Sequence, residues 1–162
     1  MGDLPPRPSF DSAAERPADE SARKRFLIVD DDAVCRELLK AMLEPYGRCS
    51  LAYDGREAVD TVRLALDDND PYDMMCLDIM MPEMDGHEAL TAIRALEVER
   101  GVYGSDGVKV IMTTALSDSR HCIRSFKEGC EHYITKPIKD EALFDKMREL
   151  GMLAETGAPS RG

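Results

Sequence analysis

Asp30, Asp31 and Asp32 follow the apolar run "RFLIV", and Asp78 follows "YDMMCL". Thr113 and Thr114 close "VKVIM", and Lys136 stands between "HYIT" and Pro137. Asp78 is the sharpest case, because Ile79, Met80 and Met81 resume the apolar run behind it. An unpaired carboxylate in such a run costs on the order of several kcal/mol to desolvate. If these clusters met, carboxylates, a hydroxyl and an ammonium would share one small volume. Crowded like charges raise pKa values unless a cation neutralises them. Mg²⁺ suits such a place, because it takes oxygen ligands and keeps several waters.

The elements that must position these residues alternate along the chain. "RFLIVD", "CSLAYD", "YDMMCLD", "VKVIMTT" and "HYIT" read as five short strands. Between the first two, Val34, Leu38, Leu39, Met42 and Leu43 recur at helical spacing, and the helix stops near Pro45 and Gly47. Ala58, Val62 and Leu66 mark a second helix, and "GHEALTAIRALEVER" a third. "SDSRHCIRSFKEG" is a fourth, with Ser117 as N-cap, and "KDEALFDKMRELGML" a fifth. Strands alternating with helices imply right-handed βαβ units and a parallel sheet covered on both faces. In such a sheet the strand ends share one edge, and ligands bind there. Asp30–Asp32, Asp78, Thr113–Thr114 and Lys136 all fall at strand ends, so the topology brings them together. Thr113 and Thr114 should point to opposite faces, so one of them reaches the cleft.

The totals narrow the class. The 162 residues, 43% hydrophobic and 33% charged, fit one soluble domain with tails. Residues 1–24 are Pro-rich and polar and read as a disordered extension; 25–153 form the domain, and 154–162 a flexible tail. No apolar stretch approaches the roughly 20 residues of a membrane span, and no secretory signal is visible. Pro6 stands where a myristoylation signal needs Ser or Thr. The five cysteines lack zinc-site spacing, and a cytoplasmic, reduced protein is expected. A net charge of -11 argues against a nucleic-acid surface.

"LIVDDD", "LDIMMPEMDG", "VIMTTA" and "YITKPI" together resemble the signatures of the receiver domain of two-component response regulators. The resemblance implies a flavodoxin-like, doubly wound (βα)5 fold with strand order 2-1-3-4-5. It implies that Asp78 is the phosphoacceptor and that Asp31 binds Mg²⁺ directly, with Asp30 acting through a water. Met80 would lend its backbone carbonyl to the metal. Thr114 would bond the phosphoryl group, Lys136 would pair with it, and Pro137 would follow a cis peptide. Tyr133 matches the aromatic switch residue. Met80 and Leu116 occupy the positions that govern phosphoryl lifetime, and neither donates a hydrogen bond. The implied partners are a sensor histidine kinase or phosphotransfer protein and a downstream target docking on the fourth helix, fifth strand and fifth helix. Homodimer formation stays open, and neither nucleic acid nor membrane is expected as a partner. With nine residues after Leu153, a stand-alone, chemotaxis-type receiver is expected.

Simpler readings stand beside these. An Asp at a strand end is often a helix N-cap, and that is the preferred reading for Asp32. For Asp78 it fails, because Pro82 and "EMDG" delay the next helix. Asp67, Asp68 and Asp70 read as a solvated turn, and His87, His121 and His132 as solvated or packed. The Met-rich stretch 74–84 reads as core and loop filling. An aspartate-nucleophile hydrolase would need a second Asp where Met80 stands. A nucleotide-binding flavodoxin-like protein would need a glycine-rich phosphate loop. The remaining alternative is a degenerate receiver acting as a phosphorylation-independent binding module.

Overall fold

The computed structural model describes residues 23–115 and 129–153. Its strands are β1 (Lys24–Val29), β2 (Gly47–Ala52), β3 (Met74–Asp78), β4 (Lys109–Thr114) and β5 (His132–Thr135). Its helices are α1 (Ala33–Leu43), α2 (Gly55–Asp67), α3 (Gly86–Glu99) and α4 (Asp140–Glu149). The helix expected from Ser117 lies outside the described residues, as do Leu116, His121, Cys122 and the expected tails apart from Arg23 and Lys24. Lys24, expected in the first tail, opens β1 instead, and α4 is the fifth helix of the sequence reading. The strands pair in parallel in the order β2-β1-β3-β4-β5, the flavodoxin-like arrangement.

Strand alternation divides the core into two layers. Leu27, Val29, Met75, Leu77, Val110 and Met112 pack with residues of α2 and α3. Phe26, Ile28, Met74, Cys76 and Ile111 pack on the other face with Leu39 and Leu43 of α1 and Leu143 and Met147 of α4. Because both faces are covered, the middles of β1, β3 and β4 are continuously apolar instead of alternating.

The helix starts explain several acids near the site. Asp32 caps α1 by accepting from Val34 N at 3.0 Å, and Asp54 caps α2 by accepting from Glu57 N at 2.8 Å. Asp85 and Glu88 form a capping box at α3, each bond 2.9 Å. These carboxylates are occupied by orphan amides of the helix ends.

The structure departs from the sequence reading in places. Val34 and Leu38, expected on the buried face of α1, are 76% and 48% exposed, because the helix turns Leu39 and Leu43 to the sheet. The first strand stops at Val29, one residue before Asp30, and the second begins earlier, at Gly47. Short 3-10 turns at Glu44–Tyr46 and Gly104–Asp106 were not expected. The turn around Asp70 is not simply solvated: Asp70 pairs with Arg25 and Arg48, each at 3.5 Å, and Asp67 pairs with Arg100 at 2.7 Å. His87, read as solvated or packed, is packed: it is fully buried. No helix of the described residues is long and apolar enough to cross a membrane.

Candidate functional site

At the carboxyl edge of the sheet, Asp30 follows β1 and Asp78 ends β3, and both are buried. Backbone bonds between neighbouring strand ends fix the edge. Asp30 N donates to Ala52 O at 3.2 Å, Ile79 N to Thr113 O at 2.9 Å and Lys136 N to Thr114 O at 2.6 Å. One carboxylate oxygen each from Asp30, Asp31 and Asp78 lies within 4.8 Å of the others. The Lys136 ammonium reaches into this group, 2.8 Å from Asp30 Oδ2 and 3.4 Å from Asp78 Oδ1.

The electrostatic balance of the group is incomplete. Asp30 Oδ1 accepts from Asp32 N at 2.9 Å. Asp30 Oδ2 is buried, and although Lys136 pairs with it by charge, no donor meets it at hydrogen-bond angles. Burial, and then the neighbouring Asp30 carboxylate, push the Asp78 carboxyl up to about 7 from its ordinary 3.8, against the pull of Lys136. Burial works to lower the Lys136 ammonium, but the carboxylates of Asp30 and Asp78 outweigh it and hold Lys136 charged. One cation among three acids leaves a place for more positive charge. The donor set is all carboxylate, and a single ammonium is shared between Asp30 and Asp78, which fits a hard divalent cation with bound waters.

Thr113 and Thr114 are both buried. Thr114 continues the Val110–Met112 row, and Tyr133 packs against that same core layer. Thr113 continues the row of Ile111 on the opposite face. The Lys136–Pro137 peptide is cis. Met80, in the loop after β3, is 53% exposed. Leu116 lies outside the described residues.

Two contributors escaped the sequence reading. Arg36 of α1 donates to Asp30 O at 2.7 Å and holds the turn that carries the acids; in the sequence it stands among apolar-period positions that give no sign of this role. Gly86, the first residue of α3, lies so close to β3 that a Cβ there would strike the Asp78 carbonyl oxygen and come within 2.8 Å of Ile79 Cα. The Asp-Gly pair at a helix start was the available signal.

Comparison with known proteins agrees with this geometry. Residues 26–148 match the model of the response regulator receiver domain, and the chain belongs to that family. It is 31% identical over 130 residues to the DNA-binding response regulator MtrA of Mycobacterium bovis, covering 80% of this chain and 51% of that protein. The chain spans about half the length of the curated relatives it matches. Among solved structures, it superposes with TM-score 0.70 and 28% identity on the receiver domain of the histidine kinase CKI1 from Arabidopsis thaliana complexed with Mg²⁺, covering 82% of this chain and 95% of that one. A Saccharomyces cerevisiae co-crystal structure of the phosphotransfer protein Ypd1 with the Ssk1 receiver domain gives TM-score 0.69 at 26% identity, covering 83% and 94%. The protein is thus a phosphorylation-related signalling domain of the two-component class.

Proposed function

We propose that Asp78 accepts a phosphoryl group from a phosphohistidine of a kinase or phosphotransfer protein, and that the phosphorylated form docks a downstream partner. The convergence of Asp30, Asp31, Asp78 and Lys136 carries this reading. In the step, an Asp78 carboxylate oxygen forms a bond to phosphorus while the phosphorus–nitrogen bond breaks, and the imidazole leaves with the electron pair. The transition state spreads negative charge over the equatorial oxygens, so positioning and positive charge supply most of the catalysis. Lys136 stands within reach of Asp78 to pair with those oxygens, and the Thr114 hydroxyl is the donor that follows them. Asp30, Asp31, Asp78 and the Met80 carbonyl would hold Mg²⁺, which supplies the remaining charge. The chain promotes only its own phosphorylation and dephosphorylation.

The signal would leave through Thr114 and Tyr133. Their shared core layer supports an exchange in which Thr114 moves toward the phosphoryl group and Tyr133 turns inward. A cavity lined by Tyr133, Lys139, Ala142 and Lys146 lies between β5 and α4, on the face where the partner would dock. Met80 stands at the surface beside the site and offers no donor to orient a hydrolytic water, so a long phosphoryl lifetime is expected. Relatives of which this chain spans about half carry DNA-binding names, so the length of this chain is no argument about its output. The acidic balance of -11 still argues against nucleic acid meeting this domain directly. A cytoplasmic location suits such a partner set.

The test is incubation with Mg²⁺ and acetyl phosphate, read by intact mass. The wild type should gain one phosphoryl mass and Asp78→Asn none, since an amide is not a competent nucleophile. A wild type that gains nothing would make the domain a phosphorylation-independent binding module.

A further inference from the structure

The opposite, amino edge of the sheet holds a second concentration of charge, of the other sign. A cavity of about 270 Å³ opens there, where β1 and β2 begin and the chain enters β3. Arg23, Lys24, Arg25 and Arg48 line it, against the carboxylates of Asp70 and Asp73. In a chain with a net charge of -11, a concave surface with four cations and two acids is out of character.

Arg23 is engaged, donating to the Glu44 carbonyl at 2.9 Å, and among the described residues Lys24, Arg25 and Arg48 still outnumber the two acids of the cavity. Asp73 is engaged by the backbone, accepting from Arg25 N at 2.8 Å. Asp70 is shared between two guanidinium groups, each at 3.5 Å, longer than a charge-assisted hydrogen bond. Lys24 has no carboxylate partner among the described residues. The Nε of Arg48 is buried and meets no acceptor, an orphaned donor that natural structures seldom leave unexplained.

The cavity is also organised in advance. Register pairs Arg25 with Arg48 across β1 and β2, so both emerge on the same sheet face. The Arg25 guanidinium stacks over the Tyr72 ring, 4.2 Å from its centroid, and donates to the Asp70 carbonyl. Two guanidinium forks fixed side by side present donors in the geometry that suits phosphate oxygens. We propose that this cavity is an anion site for the phosphate groups of a small diphosphate-bearing ligand. The concave wall favours a small molecule over a flat macromolecular surface, and Lys24 beside the paired forks of Arg25 and Arg48 favours more than one phosphate. The site is remote from Asp78 and does not depend on the phosphoacceptor reading.

The experiment is calorimetric titration of the full chain with inorganic diphosphate and with ADP, in metal-free buffer at low salt. Saturable one-to-one binding that weakens with salt is expected, and it should be the same in wild type and in Lys136→Gln. Arg48→Gln should weaken it about tenfold or more, the equivalent of about 1.4 kcal/mol, and Arg48→Lys less. Lys24→Gln, at an exposed position, should also weaken it and carries the test if Arg48→Gln fails to fold. Equal affinity for the two probes would assign the site to the phosphates alone, and tighter ADP would extend it to a nucleotide. No saturable binding of either probe would overturn the proposal. So would binding that Lys136→Gln abolishes and Arg48→Gln and Lys24→Gln leave intact.

Discussion

Glu97 and Asp78 are both buried carboxylates at an edge of the same sheet, and the chain treats them in opposite ways. Glu97, on α3 near the amino edge, is fully engaged: Oε2 accepts from Val108 N at 2.8 Å and Oε1 from Arg94 at 2.9 Å. Arg94 in turn donates to Gly129 O, and Glu131 accepts from Val110 N at 2.7 Å. Every partner there is supplied by the fold, and the network ties α3, β4 and the approach to β5. At the carboxyl edge one ammonium serves two buried acids: Lys136 lies 2.8 Å from Asp30 and 3.4 Å from Asp78, with the Asp31 carboxylate close by. A buried acid that the fold satisfies is structure. One that the fold leaves in debt of positive charge is where chemistry is to be sought.

The largest expected effect exploits that imbalance through pH. An acid whose pKa is raised on folding keeps its proton in the native state over a range in which the unfolded chain has lost it. The native state then binds more protons, so stability falls as pH rises from about 4 to about 7. At one pKa unit per roughly 1.4 kcal/mol, and allowing for solvent screening and for the coupling to Asp30 and Lys136, the loss for Asp78 is on the order of a few kcal/mol in metal-free buffer. Denaturant titration of the wild type and Asp78→Asn across this range isolates it, and Mg²⁺ should flatten the wild-type slope. Parallel curves for the two proteins would mean that Asp78 is already neutralised by the fold, and the contrast with Glu97 would collapse.

The next effect lies at the other edge. Glu97→Ala leaves Arg94 and the Val108 amide without their acceptor. Breaking a buried ion pair costs about 3–5 kcal/mol, and because Arg94 is partly exposed the expected loss is about 2 kcal/mol. Labelling of Asp78 by acetyl phosphate should be unchanged below the unfolding transition. A variant of normal stability but impaired labelling would show that the two edges are coupled, sharpening the contrast into a relay.

Much of this was legible in the sequence because it rests on local rules. The apolar strands "RFLIV", "MMCL" and "VIMTT" and the alternation with helices dictate a sheet covered on both faces, and the strand-end acids then have one place to go. Asp78 was legible because it interrupts an apolar run where no helix follows at once. What escaped depends on distances between residues far apart in the chain. Glu97 reads as one of several acids on α3, and only the fold brings it to the Val108 amide. Arg48 and Asp70 lie on either side of α2, and nothing in their spacing announces a shared cavity. Helix periodicity also overstated the buried face of α1. Val34 and Leu38 share its apolar pattern, yet the sheet takes only the side that Leu39 and Leu43 present.

The smallest effect separates two neighbours that composition cannot tell apart. Asp31 and Asp32 are both exposed acids after β1. Asp32 accepts from Val34 N at 3.0 Å and caps α1, whereas Asp31 turns an oxygen to the Asp30–Asp78 group. Asp32→Ala removes a cap and should cost about 1 kcal/mol of stability, with little change in Mg²⁺ affinity. Asp31→Ala should do the reverse: it thins a crowd of like charges, so metal-free stability holds or rises, while Mg²⁺ binding weakens markedly. Metal titration and denaturant unfolding of both variants give four numbers that must cross. If both variants lose Mg²⁺ affinity equally, the cap is also a ligand, and the line between satisfied acids and indebted ones does not run between these two residues.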